Sequence, residues 1–379
     1  MWIVLNNREC FMGVMNFEKV DRIPLIPVLG GGAYNVAVEG SVTANRWHAE
    51  GLPAWASAID YFGLDFAYET IPLNLGMIPP FTAKTLSEDD QCLTVQDHEG
   101  VKKRIFKKRS TQGGLSWGMP QFLEFPVKDR KSWEQVKKRY DASDPRRLDV
   151  SWGDEMVEHF ETTTNPVCLE ISCFFGWCRS LMGMENFLVA LYRDPGLVHD
   201  MMEFRAQFAT SLIEPIVERC RVDFILLAED MAYRNGPHMS PRLVREFIVP
   251  RYKEETSLLK RHGVDLVFVD SDGDVRLLVP LWLEAGIKGT YPLEVMAGCD
   301  VVDLRKKYPR QLRMVGNIDK MALIEGKEAI NAELERKLPF LLKAGGFLPT
   351  VDHGIPPEIP FAHYRHYMTR LKEYLEAYS

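Results

Sequence analysis

The stretch Val264–His353 contains four short apolar runs, each followed at once by acidic or polar residues. The runs and their polar ends are Val264-Asp-Leu-Val-Phe-Val269 before Asp270-Ser-Asp-Gly-Asp274, Gly286-Ile-Lys-Gly-Thr-Tyr-Pro292 before Leu293-Glu294, Arg313-Met-Val-Gly316 before Asn317-Ile-Asp319-Lys320, and Gly346-Phe-Leu-Pro-Thr-Val351 before Asp352-His353-Gly354. Helix-like segments separate them. This alternation predicts parallel strands joined by helices, with polar clusters at the carboxyl ends of the strands, where βα-barrel enzymes have their active sites.

The first half of the chain supplies four further strand candidates. They are Ile23–Val28, Gly63–Tyr68, Pro166–Ser172 and Asp223–Ala228. Eight strands with helical connections predict one α/β domain over residues 1–379, a single (β/α)8 TIM barrel. Residues 85–130 interrupt the pattern with strand-like runs around the turn Asp97-His-Glu-Gly100, and we predict a β-hairpin insertion there.

Composition excludes several classes of protein. Of the 379 residues, 46% are hydrophobic and 26% charged, and the formal net charge is −7. Because no basic block is present, we expect no nucleic-acid or anionic-membrane partner. The apolar start Met1-Trp-Ile-Val-Leu5 is too short for a signal peptide, and no run approaches the ~20 apolar residues of a membrane span. Seven cysteines without a Cys-x-x-Cys pair predict reduced core thiols in a cytoplasmic protein.

Acidic side chains are concentrated after the predicted strands, and in a barrel these strand ends converge on one mouth. The residues expected there are Glu69, Glu170, Glu229, Asp230, Asp270, Asp272, Glu294, Asp319, Asp352 and His353. So many acids would raise one another's pKa values and cost stability unless positive charge lies among them. A metal ion would supply that charge, and Lys320, Arg234 and Arg179 are the alternative.

Each of these acids also has a structural interpretation. An Asp after a strand often caps the next helix, and a loop histidine often bonds a backbone carbonyl. Capping explains Asp270 and Asp272 less well, because side chains two positions apart on a strand point the same way. We select Glu229 and Asp319 as candidate catalytic residues, and Tyr34, Tyr68 and Asn317 as candidate substrate contacts.

Several stretches resemble the uroporphyrinogen decarboxylase superfamily, from about Asp21 onward. They are Phe174-Phe-Gly-Trp-Cys-Arg-Ser-Leu-Met-Gly-Met-Glu185, Asp194-Pro195, Met314-Val-Gly-Asn-Ile-Asp-Lys320 and Gly345-Gly-Phe through Pro357. The resemblance implies a single βα barrel. It also implies one of two activities: cofactor-free decarboxylation in haem synthesis, or zinc-dependent methyl transfer to corrinoid proteins.

The decarboxylase branch carries an Arg-Gln-Ala-Gly-Arg segment after the first strand, whose arginines bind the carboxylates of the porphyrinogen. The matching place here is Leu29-Gly-Gly-Gly-Ala-Tyr34, which has no arginine. A substrate with many carboxylates would therefore lack its clamp at this position. The resemblance consequently does not predict decarboxylation of uroporphyrinogen.

The methyl-coenzyme M-forming methyltransferases carry His-x-Cys-Gly after one strand and a cysteine after the last. The matching places here are Asp270-Ser-Asp-Gly273 and Asp352-His-Gly354, and Glu294 matches a further acidic zinc neighbour. The resemblance thus implies that Asp270, Asp272, Glu294 and His353 surround a zinc ion, with Glu229 nearby. Carboxylate and imidazole ligands are harder than thiolates and suit an oxygen substrate.

This pattern is similar to the demethylating members of the superfamily, which belong to anaerobic metabolism. These take a methyl group from a methoxylated compound, in particular an aromatic one, and give it to the cobalt of a corrinoid protein, with zinc as Lewis acid. Because this chain lacks the Asp-x-His-x-x-Gly signature of a corrinoid-binding domain, the cobalamin would come on a separate partner protein. Two alternatives stay open: a metal-free carboxy-lyase that uses Asp or Arg at the mouth, and a barrel that only binds a small ligand.

Overall fold

Strands and helices alternate along the part of the chain that the computed structural model describes, residues 4–27, 29, 41–65, 67–107, 120–148 and 153–379. The strands are β1 (Glu69–Thr70), β2 (Lys84–Glu88), β3 (Cys92–Gln96), β4 (Lys102–Phe106), β5 (Gln121–Glu124), β6 (Val167–Ser172), β7 (Phe224–Ala228), β8 (Ala232–Tyr233), β9 (Gly236–Pro237), β10 (Val267–Ser271), β11 (Gly289–Pro292), β12 (Arg313–Ile318) and β13 (Phe347–Val351). The helices are α1 (Asn7–Met15), α2 (Val42–Ala49), α3 (Ala58–Phe62), α4 (Arg130–Lys137), α5 (Asp154–Thr162), α6 (Phe174–Met182), α7 (Met184–Arg193), α8 (Pro195–Arg219), α9 (Pro241–Phe247), α10 (Val249–Arg261), α11 (Val279–Glu284), α12 (Val301–Lys307), α13 (Lys320–Glu325), α14 (Lys327–Ala344) and α15 (Phe361–Tyr378).

Seven strands form one parallel sheet in the spatial order β1-β6-β7-β10-β11-β12-β13. In the parallel sheet, at least one helix lies between each strand from β6 onward and the next, and a helix follows the last strand, so the predicted alternating α/β class is confirmed. The sheet curls, which brings residues after β10 close to residues after β13. We call the carboxyl ends of these strands the mouth. Closure into an eight-stranded barrel stays a prediction, because the described residues contain seven parallel strands.

Two predicted strands differ from the structure. The segment Ile23–Val28, of which Val28 lies outside the described residues, forms no strand. Its two prolines lack the N–H that a ladder needs, and the backbone N–H of Leu25 donates instead to the Asp65 carboxylate, at 2.7 Å. The second strand begins at Glu69 rather than within Gly63–Tyr68. Gly63 adopts a left-handed conformation (φ 60°) and ends α3.

A separate antiparallel sheet, in the order β2-β3-β4-β5, begins one residue before the predicted insertion and contains four strands, two more than the predicted hairpin. The turn expected at residues 97–100 joins β3 to β4, where Gln96 pairs with Lys102. Asp97 closes the turn, because its carboxylate accepts the backbone N–H groups of Glu99 and Val101 at 3.0 and 2.9 Å. Such side-chain capping of a turn explains why the local sequence predicted it.

The long helix α8 packs through an apolar stripe, and its buried residues include Met201, Met202, Phe208, Leu212, Ile216 and Val217. Residues 240–262 begin with the cap Ser240 and form two helices, α9 and α10, which are divided at Ile248. Pro250 lacks the N–H that an uninterrupted helix would use there, which explains the break. All seven cysteines are buried free thiols, as expected. No described helix is both long enough and apolar enough to cross a membrane.

The amino-terminal helix α1 lies against the amino ends of the parallel strands. Arg8 forms a buried ion pair of 2.7 Å with Asp223, the residue before β7. The ring of Phe11 stacks on Phe224 at a centroid distance of 5.1 Å. The carbonyl of Val14 accepts the N–H of Gly346, the residue before β13, at 3.0 Å. These contacts hold α1 across the end of the sheet opposite to the mouth.

Candidate functional site

Three of the four predicted metal ligands come together at the mouth. Asp272 follows β10 directly, Glu294 follows β11, and His353 follows β13. One ligand atom from each lies within 4.8 Å of those from the other two. The closest measured pair is His353 Nε2 and Asp272 Oδ2, at 3.5 Å. We call Asp272, Glu294 and His353 the ligand trio.

Hydrogen bonds between neighbouring loops hold Glu294 in place. Its Oε2 accepts the backbone N–H of Gly273 at 2.9 Å. Gly273 has a φ of 81°, and a Cβ there would lie 2.7 Å from the backbone of Ala232 and Tyr233. Only glycine fits this close approach without a shift of backbone. The loops after β7, β10 and β11 are therefore packed against one another beneath the ligand trio.

A lysine lies beside the ligand trio. Lys320 Nζ is 3.8 Å from Glu294 Oε1 and 3.7 Å from Asp352 Oδ1. Asp352 is fully buried, and its carboxylate also accepts the N–H groups of Val295 and Lys320, at 2.9 and 3.3 Å. The sequence predicted either metal or fixed cations among the mouth acids, and Lys320 supplies one such cation.

The fourth predicted ligand, Asp270, is outside the group whose ligand atoms converge. Burial, together with the nearby carboxylates of Asp272 and Asp230, raises the pKa of its carboxyl group to about 7. The charges of His353 and Arg179 act in the opposite direction. Asp270 therefore lies near the ligand trio, but its carboxyl group is in a less polar environment than the ligand atoms of the trio.

A cavity of about 380 Å³ adjoins Asp272, and we call it the side cavity. Its lining residues are Gly176, Arg179, Ser180, Ala228, Glu229, Asp230, Asp270 and Asp272. Arg179, on α6, donates from Nη1 to the carboxylate of Asp230. Asp230 adopts a φ of 53°, unusual for a residue with a side chain. The sequence named Arg179 only as a possible counter-charge, and Ser180 was not identified.

Glu229, a predicted catalytic residue, is buried, and its carboxylate accepts several hydrogen bonds from the protein. Its carboxylate accepts the N–H groups of Phe174 and Gly176 at 3.0 and 2.7 Å, and the hydroxyl of Tyr252. Burial raises the pKa of Glu229 to about 7, although these hydrogen bonds oppose the shift. The side chain thus anchors the start of α6. A Cβ on Gly176 would lie 2.7 Å from the Ala228 carbonyl, so the helix approaches β7 closely.

Two other candidates have backbone partners. Asp319 is the N-cap of α13, where its carboxylate accepts the N–H of Met321 at 2.9 Å. Asn317 is fully buried with a φ of 62°. Its amide donates to the carbonyls of Leu293 and Cys299 and accepts the N–H of Val301. Both geometries favour structural roles over contact with a substrate.

The tyrosine candidates have different outcomes. Tyr34 lies outside the described residues. The Tyr68 hydroxyl donates to Glu170 at 2.6 Å, and its ring packs against Phe224 at 5.5 Å. Tyr291, which the sequence did not identify, is close enough to Asp270, Tyr68 and Glu170 for their charges to raise its pKa, after burial as the main cause. In the sequence, only the position of Tyr291 on a buried strand could have indicated that it lies near the site.

One predicted mouth acid is at the wrong end of the sheet. Glu69 pairs in register with Val167, the first residue of β6. Its carboxylate accepts hydrogen bonds from His159, Thr163 and Asn165, all before β6. The prediction that Glu69 lies at the mouth is therefore wrong, because β1 begins at Glu69 instead of ending there.

The ligand trio fits a zinc ion in chemistry and in spacing. One imidazole and two carboxylates are accepted zinc ligands, and catalytic zinc has three protein ligands and an open position. Tetrahedral bonds of about 2.1 Å place ligand atoms roughly 3.4 Å apart, so a spacing within 4.8 Å requires only small side-chain movements. Two carboxylates would also balance the charge of a divalent ion.

A second group of potential ligands, Glu214, Glu218 and His262, has similar spacing. It lies on α8 and just after α10, next to residues that precede the strands. It is thus at the end of the sheet opposite to the mouth, and its two glutamates are one helical turn apart on the partly exposed face of α8.

Comparison with known proteins gives one family. The family model described as uroporphyrinogen decarboxylase (URO-D) matches residues 120–374. A uroporphyrinogen decarboxylase of Pseudomonas aeruginosa is 26% identical over 178 residues, which are 46% of this chain and 47% of that protein. One from Neisseria meningitidis is 23% identical over 191 residues, 49% of this chain and 51% of that protein. The chain spans about half the length of these curated relatives.

Among solved structures, a methyltransferase from Methanosarcina mazei has a similar fold. The match covers 98% of this chain and 99% of that one, with a TM-score of 0.55 and 13% sequence identity. At this identity, the similarity concerns the fold alone.

Proposed function

This chain belongs to the uroporphyrinogen decarboxylase family, and on that premise we propose that it is a zinc-dependent methyltransferase. Its methyl donor is a methoxylated compound, in particular an aromatic one, and its acceptor is the cobalt of a separate corrinoid protein. The observation that carries the proposal is the ligand trio, whose donor atoms converge at the mouth. A metal-free decarboxylase has no need of such a convergence.

In the proposed reaction, zinc bound by Asp272, Glu294 and His353 would act as a Lewis acid on the ether oxygen and stabilise the oxyanion that leaves. Hydrogen bonding within the protein orients the proposed ligands before a metal ion binds. The N–H of Gly273 orients Glu294, and a zinc ion would take the place of the proton between Asp272 and His353. Oriented ligands of this kind raise metal affinity, because less ordering is needed on binding.

The kind of ligand supports an oxygen substrate. Carboxylate and imidazole donors are harder than the thiolates that activate soft thiol substrates. The segment Leu29–Tyr34 also lacks the arginines that would hold a porphyrinogen. Both features favour a small methyl ether over a polycarboxylated tetrapyrrole.

The remaining candidates divide into two groups in this proposal. Tyr34 and Tyr68 stay predicted substrate contacts. Glu229, Asp319 and Asn317 support the loops and helices that carry the site, because their side chains are committed to backbone groups. Asp270 acts beside the ligand trio rather than as a fourth ligand.

A metal-free decarboxylase is the competing function, and one observation favours it. Lys320 lies beside Glu294 and Asp352, and Arg179 pairs with Asp230, so fixed cations already offset several mouth acids. The named relatives are also decarboxylases. The two functions differ in whether zinc is bound and in which substrate is consumed.

Two assays on the purified full chain separate these functions. The first loads the protein with zinc, adds a methoxybenzoate and photochemically reduced cobalamin, and follows the absorbance change from cob(I)alamin to methylcobalamin. We expect zinc-dependent methylation, and its absence in the presence of bound zinc would count against the proposal. The second assay incubates the protein anaerobically with uroporphyrinogen. Stepwise loss of carboxylates would establish the competing function.

We further propose that residues 1–379 form one barrel domain, in which the extended segment at residues 23–27 takes the place of an eighth strand without strand hydrogen bonds, and residues 85–130 are an insertion. Leu25 and Asp65 support this, because they exchange hydrogen bonds just before β1. A single domain should unfold in urea in one transition, with coincident fluorescence and circular-dichroism curves. Two separate transitions would contradict it.

A further inference from the structure

The strand β2 forms one edge of the antiparallel sheet β2-β3-β4-β5, which we call the insertion sheet. Among the described residues, β2 pairs with β3 on one side and has no neighbouring strand on the other. All five residues of β2, Lys84–Glu88, are exposed. An edge strand directs the N–H and C=O groups of alternate residues away from its own sheet, so another strand can pair with it.

The sequence of β2 is complementary to itself in charge. When two copies of Lys84-Thr-Leu-Ser-Glu88 lie antiparallel about Leu86, Lys84 of each copy faces Glu88 of the other, and the two Leu86 side chains meet. Opposite charges at directly opposed positions stabilise a pair of strands, and like charges destabilise it. A parallel pair in register would place Lys84 on Lys84 and Glu88 on Glu88. The charges therefore favour a second copy in the antiparallel orientation.

Contacts within the chain leave these side chains accessible. No ion pair is found for Lys84 in the part of the chain that the structure describes, and Glu88 stays exposed although it pairs with Lys107 at 2.7 Å. The pairing with β3 passes from Thr85 to Ser87 through a bulge, so no residue of β3 is opposite the exposed Leu86.

A charged residue and a bulge usually protect an edge strand from pairing with foreign strands. A lysine on the edge does so because its charge is unfavourable beside an apolar or a basic strand. The second copy is different, because it brings an acidic residue opposite Lys84 and a basic residue opposite Glu88. These features thus reduce unspecific pairing and still allow pairing of β2 with itself.

We propose that the protein forms a two-fold dimer through β2, in which the two four-stranded insertion sheets join into one sheet of eight strands. The inference goes beyond the proposed function and does not depend on it. A strand that pairs with its own copy occupies that edge in both molecules, so the contact closes as a dimer. Because two short strands form a small interface, we expect a dissociation constant of about 1–100 µM.

Sedimentation velocity of the full chain at low salt and over a range of concentrations tests the charges. The wild type should pass from monomer to dimer as its concentration rises. Lys84→Glu and Glu88→Lys should each weaken the dimer about tenfold or more, because two attractive pairs become two repulsive ones. An equimolar mixture of these two variants should dimerise again, because each then faces opposite charges on the other.

Lys306→Glu is the matched control for the change of charge. Lys306 is exposed on α12, outside the insertion sheet, and lies 3.9 Å from Asp303. This variant should dimerise as the wild type does. Thermal unfolding verifies that each variant is folded. If a single variant is not, the double variant Lys84→Glu/Glu88→Lys replaces it, and this variant should dimerise because both pairs are restored with their signs exchanged.

A cross-link tests the position of the two-fold axis. Opposed residues at such an axis have Cα atoms about 4.5–5.5 Å apart, within the reach of a disulfide. Leu86→Cys should therefore form a disulfide between copies when diamide accepts the two electrons and two protons. All seven native cysteines are buried, so they should not react. Leu123→Cys is the matched control, because Leu123 is similarly exposed (49% against 41%) but lies on β5, at the other edge of the sheet.

Three results would overturn the inference. The first is a wild type that stays monomeric at about 100 µM, the upper end of the expected range. The second is a dimer that is equally stable in Lys84→Glu or in Glu88→Lys, since another face would then form it. The third is cross-linking of Leu123→Cys as fast as that of Leu86→Cys, which would show random collision instead of a defined pairing of β2.

Discussion

The Nε2 of His353 lies 3.5 Å from the Oδ2 of Asp272, although the strands that precede them, β13 and β10, are separated in the sheet by β11 and β12. Such a contact requires the sheet to curl so that the loops of non-adjacent strands meet. The hydrogen bond to Asp272 raises the pKa of His353 above its ordinary value of 6.5. The pair is therefore arranged to attract a cation, which is either a proton on the imidazole or a metal ion.

The first prediction concerns zinc content. Asp272→Ala and His353→Ala each remove one of three convergent ligands, so zinc affinity should fall by two orders of magnitude or more, since each zinc–ligand bond is a large part of the binding free energy. Metal analysis after dialysis against a weak chelator measures the effect. Equal zinc in the wild type and in both variants would exclude the ligand trio as the site.

Asp319→Ala is the matched control for zinc and a prediction in its own right. Asp319 is also an acid at the mouth, but it caps α13. Removal of an Asp cap costs about 1 kcal/mol, so the free energy of unfolding should fall by that amount while zinc is retained. Loss of methyl-transfer activity at unchanged stability would instead support the predicted catalytic role.

The second prediction concerns Lys320. Its ammonium is 3.8 Å from Glu294 Oε1 and competes with a metal ion for that oxygen. In Lys320→Gln the positive charge is lost, so zinc should bind roughly 3–10-fold more tightly because like charges no longer repel. Competition with a fluorescent chelator measures this. The same variant should lose about 1–3 kcal/mol of stability, because the buried Asp352 loses a partner.

Lys320→Arg provides the comparison, since it keeps the charge beside Glu294 and Asp352. Its zinc affinity should stay near that of the wild type. If Lys320→Gln binds zinc more weakly than Lys320→Arg, the ammonium supports the metal site instead of competing with it.

The third prediction concerns Asn317. Asn317→Ala leaves two carbonyls and one backbone N–H without their partner in a fully buried place. We expect a loss of about 2–4 kcal/mol in the free energy of unfolding, measured in urea. Asn186→Ala is the control, because Asn186 is exposed and, among the described residues, its side chain bonds only the carbonyl of Met182. Weakened substrate binding at unchanged stability would favour the substrate contact predicted from the sequence.

The fourth prediction concerns pH. Burial raises the pKa of Glu229 from 4.5 to about 7, so between these values the folded protein holds a proton that the unfolded chain has lost. Folding stability from this group is fully present below pH 4.5 and is lost as the pH rises through 7. Glu229→Gln cannot ionise, and its stability should decline less between pH 5 and pH 8, by about 2 kcal/mol.

Urea unfolding at several pH values measures this difference, and Glu376→Gln serves as the control. Glu376 is exposed near the end of α15, and no ion pair is found for it among the described residues, so its replacement should leave the pH dependence as in the wild type. If Glu229→Gln and the wild type lose stability in parallel, the carboxyl group of Glu229 ionises alike in the folded and the unfolded protein, and folding does not raise its pKa.

The sequence predicted the strands well where they are buried on both faces. Such strands form continuous apolar runs, and β6, β7 and β10 to β13 each overlap a predicted strand. The pattern failed at residues 23–28, where an extended apolar segment with two prolines bonds to Asp65 instead of to a neighbouring strand. Local pattern cannot distinguish these cases, because it does not specify which group accepts each backbone N–H.

The same limit applies to the site. The convergence of Asp272, Glu294 and His353 follows from the strand ends on which they lie, so it could be predicted. The structural roles of Asp319 and Asn317 could not be predicted in this way. These roles follow from the backbone N–H and carbonyl groups to which the two side chains bond, and only the folded chain brings those groups together. Arg179 reaches the loop after β7 from a helix after β6, and no sequence spacing indicates such a contact.

The position of α1 has a kinetic consequence. α1 lies across the amino ends of the strands, held by Arg8, Phe11 and Val14, so we expect a small molecule to enter and leave by the mouth. A large corrinoid protein that presents its cobalt at the mouth would obstruct that route. Turnover would then be ordered, with the methyl donor bound first, the macromolecule second, and the demethylated product released last.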